Sequence, residues 1–302
     1  MASKQHDALM GAIPGGNVDA NDPIEIVREK MHAIHPSSAR RGTAIEETSL
    51  DGIEAKWITS SDCQTSDRVL LHVHGGAFVS TVIDHYLDYG EHLSRHVDAR
   101  VVCFQYRWAD EAPYPAAIED TVTAYRALLA SGIDASRVAF VGDSCGGGIA
   151  LAAICSLRDA GEPLPAALVG LTPWLDSRQQ GDAATTPRGR DPFVSPDWIR
   201  ARFRDYAGAS GDLDDPLLSP IHAKLAGLPP MYLAVGQIDS TSDDSTRLAA
   251  RAAREGASVI LDVSAEMVHG YIGLCCQFPE ATEAMNRVGS WLRQRIPASE
   301  DA

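Results

Sequence analysis

Residues 137–159 read RVAFVGDSCGGGIALAAICSLRD, and the fold turns on how this stretch is read. Its opening, 138–141, is a short apolar run with β-branched residues, which predicts a buried strand. Its close, 149–157, is rich in Ala, Leu and Ile and predicts a buried helix. Between them Gly142-Asp143-Ser144-Cys145-Gly146 is a G-x-S-x-G sequence at a strand-to-helix junction, the context that a nucleophile elbow requires. A serine forced into so tight a turn projects its hydroxyl above the sheet. The glycines on either side let strand and helix approach without a Cβ clash. The helix N-terminus beneath offers unpaired N–H groups and a positive dipole end to a developing anion. A Gly-rich turn that merely contains a serine fits the same pattern, so the rest of the chain must supply the partners.

Working outward, the flanking sequence alternates strands and helices. Residues 43–50 and 53–60 alternate apolar and polar positions around Asp51-Gly52, a strong hairpin signal. Residues 68–74 (RVLLHVH) and 100–106 (RVVCFQY) predict buried strands, with a helix over 84–97 between them. Tyr114-Pro115 opens a helix that runs to about Ala130 and stops at Ser131-Gly132. After the elbow helix come a strand at 166–171, a breaker-rich loop over 176–196 and an amphipathic helix over 197–206. Strands at 231–235 and 259–263 and helices at 243–255 and 280–295 complete the chain. Residues 1–42 are polar, with one helix expected over 23–35, and read as an N-terminal cap segment. The expected architecture is α/β, a mostly parallel mixed sheet covered by helices on both faces.

Composition narrows the function classes. A chain of 302 residues with 45% hydrophobic and 22% charged residues has an ordinary globular makeup. A net charge of −15 argues against nucleic acid or an anionic membrane as partner. No apolar stretch is long enough to span a bilayer, and the first residues lack the apolar core of a signal peptide. The six cysteines follow no framework spacing, which points to reduced thiols in a cytoplasm. No C-x-x-C pair and no H-E-x-x-H occurs, so no metal and no cofactor is expected.

A serine nucleophile needs a base, an acid to orient that base, and donors for an oxyanion. In the strand-turn-helix version the chain order is serine, acid, histidine. Of ten histidines only His222 and His269 follow Ser144. His269 lies just after a strand, where ligands of open α/β sheets bind, whereas His222 precedes one in LLSPIHAKL. His269 is therefore the expected base. Asp239 follows the strand at 231–235 directly and is the expected acid, with Asp243 in reserve as a residue that also suits a helix cap. His74-Gly75-Gly76-Ala77-Phe78 follows a buried strand and can aim backbone N–H groups at one point, joined by the N–H of Cys145. His74 is expected to hold that loop and not to act as a second base.

HGGAF at 74–78, GDSCGGG at 142–148 and YRWADEAPYPAAIED at 106–120 resemble the hormone-sensitive-lipase-like group of α/β-hydrolases. LPAALVGLTPWLD at 164–176 and DPLLSPIHAKLAGLPPMYLAVG at 215–236 extend the resemblance from about residue 45 to the C-terminus. It implies an α/β-hydrolase fold with eight strands, a small helical cap, and a catalytic domain over 43–302 with a cap insertion at about 177–210. It implies Ser144, Asp239 and His269 as a catalytic triad and Gly75, Gly76, Ala77 and Cys145 as the oxyanion hole. Ala77 departs from the commoner third glycine, and Cys145 stands where alanine is usual. Phe78, Trp198, Phe203 and Tyr271 are the expected substrate contacts. The implied activity is hydrolysis of carboxylic esters with short to medium acyl groups, with a lactone or a pathway-specific ester as the alternative substrate. A ligand-binding protein on the same scaffold would have no reason to keep all these groups. A homodimer is possible in such a group.

Overall fold

Eight strands form one sheet in the order β1-β2-β4-β3-β5-β6-β7-β8. They are β1 (Ala44–Leu50), β2 (Ile53–Thr59), β3 (Val69–Val73), β4 (Arg100–Phe104), β5 (Val138–Asp143), β6 (Ala167–Leu171), β7 (Met231–Gly236) and β8 (Val259–Ser264). This computed structural model describes residues 2–12, 19–34, 39–63, 67–182, 191–209, 211–296 and 298. The β1–β2 hairpin turns at Asp51-Gly52, and β2 lies antiparallel to β4. Every other pairing, from β4–β3 to β7–β8, is parallel. The expected mixed, mostly parallel sheet is what forms.

Two buried clusters explain why the sheet is stable. Alternate strand residues point to opposite faces. Leu71, Val73, Val102, Phe104 and Phe140 enter one cluster, while Leu70, Val101, Cys103, Ala139 and Val141 enter the other. The first face is covered by α4 (Ala116–Ala130), α5 (Cys145–Asp159) and α7 (Ser242–Glu255); the second by α3 (Leu87–Val97) and α8 (Pro279–Arg295). Each fully buried aliphatic side chain contributes about 1.5–3 kcal/mol.

The N-terminal segment is split in function. Helix α1 (Lys4–Ala12), which the sequence did not foretell, docks on the start of α8, where Ser3 Oγ donates to Glu280 at 2.8 Å and His6 meets Phe278 edge-on. Helix α2 (Ile24–Ile34) instead leans on the loop after β3, Arg28 Nε donating to the Val79 carbonyl at 2.7 Å and stacking on Trp108. Helix α6 (Pro196–Ala207) begins one residue before the expected 197, with Pro196 in its first turn and not in the loop, and the Ser195 hydroxyl accepts from the Trp198 N–H at 3.2 Å. The middle of the expected cap insertion, 183–190, and residue 210 lie outside the described residues.

Candidate active site

The turn between β5 and α5 holds Ser144 at φ 53°, ψ −128°, a conformation that a residue with a Cβ rarely adopts. Neighbouring backbone fixes it there. Ser144 N–H donates to the Leu171 carbonyl at 3.0 Å, and its own carbonyl accepts from Trp174 N–H at 2.9 Å. The glycines of the motif are sterically required. A Cβ at Gly142 would overlap the Gly146 carbonyl, and one at Gly146 would overlap the Val73 carbonyl of β3.

Ser144, His269 and Asp239 meet at the carboxyl ends of β5, β8 and β7. Ser144 Oγ lies 2.9 Å from His269 Nε2, and His269 Nδ1 lies 3.2 and 3.1 Å from the two Asp239 oxygens. Asp239 is completely buried and also accepts from Thr241 N–H at 2.8 Å and Thr241 Oγ at 2.9 Å. Ionised Asp239 makes Nδ1 the protonated nitrogen, so Nε2 carries a lone pair towards the serine. Burial works to lower the His269 pKa, but the Asp239 carboxylate, helped by Asp191 and Asp143, outweighs it and the net shift is upward. Ile238 N–H donating to the Met267 carbonyl ties the Asp239 loop to the His269 loop, and Gly270 N–H donating to Thr172 Oγ ties the latter to the end of β6.

The alternatives fall elsewhere. His222 is exposed in a short 3₁₀ turn. Asp243 is neither the acid nor the cap: Thr241 is the residue before α7, and the Asp243 carboxylate pairs with Arg247 at 2.7 Å. Asp244 is the buried partner, accepting from the Leu175 and Asp176 N–H groups at 3.1 Å each.

One residue escaped the sequence reading. Asp191, just before α6, accepts from the His269 backbone N–H at 2.8 Å through one oxygen and from Phe193 N–H at 2.8 Å through the other. Burial, then the nearby Asp239 carboxylate, pushes its pKa up to about 6, against the pull of His269. Nothing local marks DPFVS as a partner of a histidine 78 residues away; only the fold brings them together.

The loop after β3 needs one correction. Gly75 was expected to donate to an oxyanion, but its N–H is committed to Asp143 Oδ1 at 3.1 Å. The same carboxylate binds His72 Nε2 at 2.9 Å and Tyr86 OH at 3.2 Å, so Asp143 locks the loop to the elbow. Gly75 has to be glycine, because a Cβ there would sit 2.5 Å from Asp143 Oδ2. Beyond it, Ala77 and Phe78 both have positive φ, 56° and 67°. Phe78 N–H donates to Cys145 Sγ at 3.3 Å, and burial pushes that thiol up to about 12. The thiol is therefore protonated and acts as a polar strut beneath the loop. The N–H of Cys145 opens α5 and has no partner within the helix. His74 holds the loop as expected: Nδ1 bonds the Gly75 carbonyl at 2.7 Å, the ring stacks on Tyr106, and burial lowers its pKa to about 4.

Three of the four expected substrate contacts share one aromatic wall. Phe78 stacks on Tyr206 at 4.2 Å and packs on Phe203 at 5.1 Å, while Trp198 and Phe203 flank Trp174, whose ring lies 6.0 Å from that of His269. Tyr271 does not join them. It is fully buried in the cluster on the opposite face of the sheet, its hydroxyl bonded to Ser264 Oγ at 2.7 Å.

A match to the α/β-hydrolase fold family spans residues 70–273. A solved esterase of the bacterial hormone-sensitive lipase family superposes with a TM-score of 0.88 at 35% identity, covering 98% of this chain and 99% of that one. The chain belongs to the bacterial hormone-sensitive-lipase family of α/β-hydrolases. The crystal structure of EstE5 soaked with p-nitrophenyl butyrate gives a TM-score of 0.89 at 31% identity, covering 98% of this chain and all of that one. An acetyl-hydrolase of Streptomyces hygroscopicus is 36% identical over 239 residues, 79% of each chain. Among the described residues of this hydrolase, no helix is long and apolar enough to cross a membrane.

Proposed function

We propose that this hydrolase cleaves short-chain carboxylic esters through an acyl-enzyme formed on Ser144. The observation that carries the reading is the unbroken relay from Ser144 Oγ through the His269 ring to a buried carboxylate. His269 Nε2 takes the hydroxyl proton as Oγ bonds to the ester carbonyl carbon, and it then returns the proton to the departing alcohol. Water repeats the sequence on the acyl-enzyme, releasing the acid and restoring the serine. Asp239 keeps the imidazole in the tautomer that presents a lone pair to Oγ and stabilises the imidazolium once it forms. The oxyanion would be held by the N–H groups of Gly76, Ala77 and Cys145, with Gly75 and Asp143 bracing the loop. Removal of one such donor typically costs 10²–10³-fold in rate, roughly 2.7–4 kcal/mol.

A short acyl group is favoured by the aromatic wall. Phe78, Trp174, Trp198 and Phe203 are nearly inaccessible to solvent, and the methyl of Ala77 adds bulk at the loop. A reducing, cytoplasmic setting fits cysteines that form no disulfide among the described residues. The deciding experiment is hydrolysis of p-nitrophenyl acetate and butyrate by purified protein and by Ser144→Ala. The variant is expected to fold normally and lose activity by about 10⁴-fold or more. Retained turnover would end the assignment of Ser144 as nucleophile.

A further inference from the structure

On the face opposite the elbow helix, four side chains that the proposed chemistry does not use converge. His92 and His96 stand one turn apart on α3, and Cys275 and Cys276 follow the 3₁₀ turn Tyr271–Leu274. One nitrogen or sulfur from each lies within 4.8 Å of all the others. We propose that His92, His96, Cys275 and Cys276 form a binding site for a thiophilic divalent metal ion, zinc being the best match, which clamps α3 to the segment leaving His269.

The spacing carries the argument. Metal–ligand bonds of about 2.0–2.3 Å in a tetrahedron place ligand atoms roughly 3.3–3.8 Å apart. Cys275 Sγ lies 3.6 Å from Cys276 Sγ and 3.5 Å from His96 Nε2. Two edges of the tetrahedron thus exist already, and the 3.6 Å separation is far too long for a disulfide. The remaining separations need a closure of about 1 Å, and Cys276 is exposed, so an ion can enter from solvent.

The lone pairs also face inward. His96 Nδ1 bonds the Asn286 side-chain oxygen at 2.8 Å, so Nδ1 carries the proton and Nε2 points its lone pair at Cys275. A carbonyl on the far nitrogen is the usual orienting partner of a metal-bound histidine. His92 Nδ1 accepts from Arg95 Nη2 at 2.8 Å, and the same guanidinium nitrogen donates to Cys276 Sγ at 3.4 Å. A guanidinium has only donors. Two of the four groups therefore already turn acceptor atoms towards a cation, and Arg95 stands where the metal would. Its way out is at hand, since Arg95 Nε lies 3.2 Å from Glu91 Oε1. On binding, each thiol gives its proton to solvent, two metal–sulfur and two metal–nitrogen bonds form, and the guanidinium withdraws onto Glu91. No redox step is involved. The sequence concealed the set because its halves lie some 180 residues apart: His96 and Cys275 are separated by 179 positions.

The test is titration of the full chain with Co²⁺ under a phosphine reductant without air, followed by displacement with Zn²⁺. A thiolate-to-cobalt charge-transfer band that saturates at one equivalent per chain, and vanishes on adding Zn²⁺, is expected. Cys276→Ser should diminish the band and Cys275→Ser/Cys276→Ser should remove it. His96→Ala, which leaves both thiols in place, should weaken binding by at least about tenfold, the low end of what disturbing a metal's ligand environment costs. Zn²⁺ should raise the melting temperature of the parent in proportion to the logarithm of its concentration and raise that of His96→Ala less at every concentration. Absence of a band in the parent would overturn the proposal. So would a band that persists in the double cysteine variant, or binding that His96→Ala leaves unchanged. Near-ultraviolet circular dichroism of each metal-free variant checks that it is folded, and His96→Ala decides the matter if the double variant is not.

Discussion

The division of labour among the carboxylates is decided by position, one residue at a time. Asp239 is buried against His269 and held by Thr241, while Asp243 is partly exposed and paired with Arg247. Asp239→Asn is therefore expected to fold like the parent and lose about 10⁴-fold in kcat, because the imidazole is left in the wrong tautomer. Asp243→Asn should keep its activity and lose at most about 1 kcal/mol of stability, as for a surface ion pair. Steady-state rates and urea unfolding of the two variants check this, and the reverse pairing would give the acid's role to Asp243. Asp191 acts differently, since it touches the His269 backbone and adds a second negative charge near the ring. That charge favours the imidazolium and so raises the His269 pKa. Activity needs the neutral imidazole, so it falls as pH drops through that raised value. Asp191→Asn removes the charge, keeps an acceptor for the N–H, and should move the acidic limb of kcat/KM to lower pH. A limb that stays in place or moves up would show that Asp191 only braces the loop. Of these residues, Ser144, Asp239 and His269 were legible because strand ends and chain order are written locally. Asp191 was not, and neither was the diversion of the Gly75 N–H to Asp143, because both depend on contacts across the fold.

Individual elements were legible in proportion to how locally they are determined. Apolar runs and the alternation around Asp51-Gly52 marked all eight strands, whereas Ser195 and Pro196, which read as the end of a loop, in fact open α6. Helix α1 was missed because KQHDALMGA has little amphipathic pattern and is held by Ser3–Glu280 and His6–Phe278, contacts some 270 residues distant in sequence. The expected helix over 84–97 begins in fact as a 3₁₀ turn, Ile83–Tyr86, where Lys56 of β2 reaches across to Asp84 at 2.6 Å. One tight junction between elements is that between α5 and β3. Gly146 lets the elbow helix touch the Val73 and His74 carbonyls, and no side chain there can rotate away. Gly146→Ala has to push backbone from backbone. It is expected to cost about 1–3 kcal/mol of stability, as overpacking does, and to lower kcat as the loop at 75–78 is displaced from Ser144. Wild-type unfolding and rate in this variant would mean that the junction yields more easily than its contacts imply.

For the molecule as a whole, the site lies where an open parallel sheet leaves its crevice, at the carboxyl ends of β3, β5, β7 and β8. What surrounds that crevice was the least legible part. The sequence marked 197–206 as amphipathic, yet which chemistry it faces follows only from the packing of α6 against the loop after β3. Phe203 and Tyr206 from α6 close on Phe78 from the loop and Trp174 from the end of β6, so three separate segments build one wall. A wall this full leaves little room for a long acyl chain beside Ser144. For the parent enzyme, kcat/KM is expected to fall from p-nitrophenyl butyrate to octanoate and decanoate. Phe203→Ala removes the ring that touches both Phe78 and Trp174, at a cost of about 3–5 kcal/mol in stability. Assayed at low temperature, where the variant stays folded, it should raise the octanoate-to-butyrate ratio of kcat/KM by tenfold or so, since each buried methylene contributes about 0.8 kcal/mol. A ratio unchanged by opening the wall would mean that the acyl chain leaves by another route, and chain-length preference would then have to be sought at the loop of Ala77.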